Sequence, residues 1–310
     1  MQTVRLARHA MATRFELVLH GDDAAALRAA GEEALNEVDR LENQLSLYRP
    51  GSEIAQLNAR AAREAVRVSP ELFALLQHTQ RLHAETDGAF DITVAPLVRC
   101  WGFMDNHGKM PAPEAITEAR SKVGMELVQF DAANCTVRFA RDGVMLDLGA
   151  IGKGYAVERG AELLREAGVT SALFHGGTST VCAIGHPPEA MAWTVGIERP
   201  PASVGAIPFP ELPAVQLLDQ SLSVSAVWGR TFQSDGKNFG HVLDPRTGQP
   251  VETAWLAAIV LPAATETDAL STALLTLGSA GLQRLTGARP GLQALLVTQA
   301  GEVEMSSSWG

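Results

Sequence analysis

Apolar residues fall at helical spacing in some stretches of the chain and alternate or run together in others. Leu27, Ala30, Ala34, Val38, Leu41 and Leu45 lie three or four apart, which predicts a long amphipathic helix from about Asp22 to just before Tyr48. Ser69 and Pro70 mark a second helix start, with Leu72, Leu75, Leu76, Thr79 and Leu82 on its inner face and Gly88 as its stop. Further helices are predicted over 113–123, from Tyr155 through Leu164, over 266–277 up to Gly278, and over 280–285.

Strands are predicted at 15–19, 128–130, 137–139, 144–148, 193–197, 215–218, 222–225, 256–261 and 293–297. Two more flank the Gly176-Gly177 turn, and a short one starts at His241. Asp235-Gly236 is a hairpin turn. The stretch 45–58 is polar and turn-rich, with Tyr48 its only aromatic, and 200–213 reads as a surface excursion of Pro and Gly. Strands outnumber helices and many are hairpin-linked. The class is therefore α+β: mixed, largely antiparallel sheets flanked by helices, expected as one domain over 1–310.

Composition narrows the function. The 310 residues carry a net charge of −10, which argues against a nucleic-acid binder. It also means that an anionic ligand needs local cations or a metal to be held. Cys100, Cys135 and Cys182 are scattered with no C-x-x-C pair, so neither a zinc site nor a disulfide framework is expected. No run suits a signal peptide or a membrane span. A cytoplasmic protein is expected, or a periplasmic one where a leader has been removed.

The stretch LDLGAIGKGYAVE, 146–158, concentrates the chemistry. A strand gives way to Gly149, Gly152 and Gly154 and then to a helix, with Asp147 at the strand end and Lys153 inside the loop. Bare amides at a helix start, beside an ammonium and a carboxylate, suit a phosphate. It is neither a Walker loop nor a dinucleotide fingerprint, because Gly154 follows Lys153 and no G-x-G-x-x-G is present. By itself it reads equally as a tight packing turn. Farther on, Asp268 and Thr272 share one helix face, an oxygen pair that suits Mg²⁺. Alone, such an Asp serves the helix dipole and such a Thr bonds the preceding turn. His241 precedes Asp244 and Arg246, and His175 stands before Gly176-Gly177 as the next histidine of interest.

Seven stretches in this order change that balance: MATRFE, LSLYRPGSEIAQLN, GAFDITVAPLVRCWGF, LDLGAIGKGYAVE, FHGG, GHVLDPRTGQP and TETDALSTALLTLG. The set resembles the FAD:protein FMN transferases, the ApbE-type flavin transferases, from about Met11 to Val297. The resemblance implies a T-fold-like α+β unit with FAD in a central cleft. It implies Mg²⁺-dependent transfer of FMN from FAD to a Ser or Thr of an acceptor flavoprotein, with release of AMP. The FAD contacts it implies are Met11, Tyr48, Ala89, Phe90, Asp91, Asp147, Lys153 and His241; the metal ligands are the Ala150 carbonyl, Asp268 and Thr272. His241 is the candidate base, since an ordinary imidazole titrates near neutrality, with Asp91 or Asp147 as runner-up.

The chain departs from that pattern at Thr178 and Ser179 and at Ala226, where the family usually has an acidic or amide residue followed by Ile, and Gly. An FAD pyrophosphatase giving FMN and AMP, or a non-catalytic FAD-binding protein, therefore stays open beside the transferase.

Overall fold

Asp23 sets the first helix. Its carboxylate accepts from the Ala25 and Ala26 amides at 2.9 and 3.0 Å, and the helix then buries the predicted stripe from Leu27 to Leu45. The computed structural model describes residues 1–105, 107–198 and 210–309. Its helices are α1 (Ala24–Leu45), α2 (Glu53–Arg60), α3 (Pro70–Glu85), α4 (Ala95–Cys100), α5 (Pro113–Arg120), α6 (Gly152–Glu166), α7 (Ala264–Leu277) and α8 (Ser279–Ala288). Its strands are β1 (Gln2–Ala10), β2 (Thr13–Gly21), β3 (Val66–Arg67), β4 (Val128–Asp131), β5 (Thr136–Phe139), β6 (Ala172–Gly176) and β7 (Thr180–Ile184). They continue as β8 (Trp193–Val195), β9 (Val215–Leu217), β10 (Ser221–Ala226), β11 (Thr231–Ser234), β12 (Lys237–Gly240), β13 (Ala254–Leu261), β14 (Gln293–Thr298) and β15 (Val303–Met305). Most of the stretch 200–213 lies outside the described residues.

Among the described residues the main sheet has eight strands in the order β1-β2-β6-β7-β10-β13-β14-β15, every pair antiparallel. The fold is α+β, as predicted. Strand alternation sends Phe15, Leu17, Phe174, Ala257 and Ile259 toward α1, α6 and α7. The opposite face carries Leu173, Val181, Leu222, Leu256 and Val260 against Trp193, Val215 and Leu217 of the β8–β9 hairpin. A smaller core around Leu97, Trp101 and Phe103 packs beside the β11–β12 hairpin.

Some expectations need correction. Residues 144–148, buried except for the half-buried Asp147, form no strand. The Asn58 side chain takes the place of a neighbouring strand: its Oδ1 accepts from Leu146 N at 2.8 Å and its Nδ2 donates to Leu146 O at 2.9 Å. Part of the stretch 45–58 is helical: α2 starts at an N-cap Ser52 and buries only Ile54 and Leu57. His241 starts no strand; it follows β12, and between it and β13 the bridge Leu243↔Pro250 is formed. No helix among the described residues is long and apolar enough to cross a membrane.

The C-terminal helices are tied to α3 by charge. Arg289 donates to both Glu85 oxygens, at 2.5 and 2.7 Å, and to Glu266 Oε2 at 2.5 Å; His78 Nε2 lies 3.2 Å from Glu266 Oε1. Hydrogen bonding to His78, together with Arg289, overcomes burial and holds the Glu266 carboxyl down at about 2. A depressed carboxyl contributes stability that is complete above its unfolded value and is lost as pH falls through the folded one. Glu266→Gln is therefore expected to cost on the order of 3 kcal/mol at neutral pH. The gap from the parent protein, followed by urea unfolding, should close between about pH 5 and pH 2. A gap that does not change with pH would count against the pairing.

Candidate active site

The glycine stretch folds back on itself before it becomes a helix. Asp147 N donates to Ile92 O at 2.7 Å, Gly149 N donates to Asp147 Oδ1 at 2.8 Å, and Lys153 Nζ donates to Gly149 O at 3.2 Å. Within the first turn of α6 the chain meets α7. Gly154 N donates to Asp268 Oδ2 at 2.9 Å, and Lys153 Nζ lies 3.9 Å from Asp268 Oδ1. A Cβ on Gly154 would stand 2.6 Å from the Asp268 Cβ and run into the Ala264 carbonyl, so only glycine permits this approach. Glu158 completes the junction by accepting from Thr265 N at 2.8 Å, an N-terminal cap supplied by another helix.

Asp268 is buried on the second turn of α7, beyond the first-turn position expected from sequence, so the dipole explanation loses most of its force. Thr272 is one turn on. Its hydroxyl donates to Asp268 O at 3.3 Å and sits 3.0 Å from Ser225 Oγ, which also lies 2.9 Å from Ser271 Oγ.

A second wall comes from the loop after α3, with Ala89, Phe90 and Asp91. The third comes from β10 and the β11–β12 hairpin, whose base carries Arg230 and His241. His241 N donates to Arg230 O at 3.0 Å. The ring Nδ1 is 3.2 Å from both Arg230 N and Arg230 O, so its partner is set by the tautomer. The Phe103 ring meets the imidazole edge-on, with centroids 6.4 Å apart.

These walls enclose a cavity of about 400 Å³. Ala89, Phe90, Asp91, Asp147, Ala150, Lys153, His241, Asp268 and Thr272 all line it, as do Thr178, Ser179 and Ala226. Two predicted residues are not among its lining. Met11 occupies the β1–β2 turn at φ 49 and packs on the main core. Tyr48 is 62% exposed beside a neighbouring depression shared with Asn58 and Met145. His175 faces a separate cavity near Arg14 and Glu16.

The electrostatics differ from the sequence expectation. Burial, then the Arg230 charge and, more weakly, Lys153, pull the His241 imidazole down to about 4. It is neutral at pH 7. Burial pushes the Asp147 carboxyl up, against the pull of the Gly149 amide, Arg230 and Lys153. Arg230 lines the cavity, and sequence reasoning passed over it. The signal was the hairpin itself: counting outward from Asp235-Gly236 pairs 231 with 240 and so sets Arg230 against His241.

No group of three or more His, Cys, Asp or Glu placed to hold a metal occurs among the described residues. Beside Asp91, Asp147 and Glu198, the lining brings together the Asp268 carboxylate, the Thr272 hydroxyl and Ala150 with its backbone carbonyl. That donor set fits Mg²⁺, which is commonly held by one or two carboxylates plus substrate phosphates and water.

The model of the ApbE family matches residues 11–296. The chain belongs to the ApbE family. The FAD:protein FMN transferase of Treponema pallidum is 32% identical to this ApbE chain, over 88% of it and 78% of that protein. The Escherichia coli K12 protein of the same name is 28% identical over 94% of this chain and 83% of its own length. The crystal structure of an ApbE protein from Thermotoga maritima superposes with a TM-score of 0.89 at 29% identity, covering 99% and 98% of the two chains. The apo flavinyl transferase ApbE of Pseudomonas stutzeri gives 0.85 at 27% identity, covering 99% and 95%.

Proposed function

We propose that this chain binds FAD in the cleft and transfers its FMN moiety, through the phosphate, to a Ser or Thr hydroxyl of an acceptor flavoprotein, releasing AMP. The observation that carries this reading is the meeting of α6 and α7, which sets Lys153, Gly154, Asp268 and Thr272 together although 114 residues separate Gly154 from Asp268. In the reaction the acceptor oxygen bonds to the phosphorus on the FMN side. The bond from that phosphorus to the bridging oxygen breaks, and AMP keeps the oxygen and the electron pair. His241, neutral at pH 7, takes the hydroxyl proton. Lys153 and Arg230 supply positive charge to the pyrophosphate from the cavity walls. A magnesium ion held by Asp268, Thr272 and the Ala150 carbonyl would neutralise charge on the phosphate oxygens.

The protein, FAD, Mg²⁺ and a candidate acceptor are incubated and the acceptor is weighed intact. A gain of one FMN supports transfer. Free FMN and AMP with no gain would replace it by hydrolysis, and unchanged bound FAD by binding alone.

A chain of net charge −10 cannot hold a pyrophosphate at long range without a counter-charge. FAD affinity, followed by flavin fluorescence, is expected to fall roughly tenfold or more when EDTA replaces Mg²⁺. Equal affinity in both would remove the metal from this reading.

A further inference from the structure

His83, on the last turn of α3, stands behind Asp91 and outside the cleft lining. Its Nδ1 is 3.2 Å from Asp91 Oδ2. The other carboxylate oxygen accepts from Thr93 N at 2.7 Å and Thr93 Oγ1 at 2.6 Å, and Thr93 Oγ1 accepts from Gly124 N at 2.7 Å. Asp91 is only 6% exposed, yet it lines both the cleft and a second cavity of about 590 Å³ that holds His83. The carboxylate is a partition between the two: Thr93 holds one oxygen, and the other faces His83 Nδ1, a buried nitrogen with no well-aligned hydrogen bond of its own. That placement makes it an anchor for the wall. The loop is built around the imidazole: a Cβ on Gly88, at φ 72, would lie 3.2 Å from His83 Cε1. One residue before Asp91, Phe90 N is held by Thr86 Oγ1 at 3.2 Å.

We infer that His83 is a positioning residue: it holds the Asp91 carboxylate, and through it the cleft wall at 89–91, in the shape that receives FAD. The inference rests on the proposal that FAD occupies this cleft. Around the imidazole stand Asp91 and Glu126, with Asp87, Arg120, Arg141 and Arg246 lining the same cavity. Burial draws the imidazole down, but Asp91, Glu126 and a backbone contact at Phe90 outweigh it and hold its pKa above 6.5. The charged form is the better partner for the carboxylate. FAD affinity should therefore be highest below the His83 pKa and decline as pH rises through it.

The test measures FAD dissociation constants by flavin fluorescence from about pH 6 to pH 9, with thermal midpoints alongside. His83→Ala is expected to weaken FAD roughly tenfold at the acid end, with the difference narrowing at the alkaline end. His83→Asn, whose Nδ2 reproduces the Nδ1 donor without the charge, should recover most of the affinity and flatten the pH dependence. Wild-type affinity in His83→Ala at every pH overturns the inference alone. A parent protein that binds no FAD overturns the cleft assignment and this inference together. If His83→Ala does not fold, His83→Asn decides: a flat profile supports the role, and the parent's slope overturns it.

Discussion

Asp268→Asn is expected to remove Mg²⁺ binding and flavin transfer together, lowering turnover on the order of 10²-fold or more. The substitution keeps the shape and leaves an oxygen that can still accept from Gly154 N. It removes the one carboxylate among the proposed metal donors. Asp268 faces an amide and the Lys153 ammonium, so losing its charge also costs stability in the apo protein. A charge-assisted hydrogen bond becomes a neutral one, at a cost of about 1 kcal/mol. The thermal midpoint should fall by a few degrees, roughly the shift such a loss produces in a chain of this size. Calorimetric Mg²⁺ titration, intact-mass transfer assays and a thermal melt measure the three effects separately. A mutant that transfers flavin at ordinary Mg²⁺ concentration would sink the metal site.

His241→Ala should slow transfer about 10²–10⁴-fold while changing FAD affinity far less. The imidazole sits at about 4 because it is buried and faces Arg230 and, more remotely, Lys153. The acid limb of kcat/KM, which reports the free enzyme, is therefore expected near pH 4 instead of 6.5. A histidine held below its ordinary value favours folding above that value and loses the contribution as pH falls through the folded one. Melts run beside the kinetics separate unfolding from titration. Normal turnover in the mutant would pass the base role to Asp147, whose carboxyl burial raises, before Asp91, one of whose oxygens is held by Thr93.

The helices were readable because their apolar positions repeat: α1 and α3 bury the residues that their spacing selects. The edge strand β1 was not readable. Its inward row runs Val4, Leu6, Arg8, and Arg8 breaks the alternation because it pairs with Glu32 and Asp39 on α1. The opposite error came at 144–148, an apolar run whose strand partner is the Asn58 amide, 88 residues away. The short helices α2 and α4 each bury too few residues to show a period. At the site, nine of the expected residues line one cavity while Met11 and Tyr48 do not, and no local pattern announces Gly154 against Ala264, Glu158 on Thr265, or His83 behind Asp91. Each is a contact between distant segments, fixed by packing rather than by spacing.

The junction of Gly154 with Asp268 also sets a clock on synthesis. At about 5–20 residues per second, a ribosome adds the carboxylate many seconds after the amide that it accepts from. During that interval α6 exists without the helix that closes the pocket, and Thr265 has yet to reach Glu158. A chain cut short before α7 carries Asp147, Lys153 and the glycine turn but lacks Asp268 and Thr272. On the proposed reading, nucleotide capture would wait until α7 has been made.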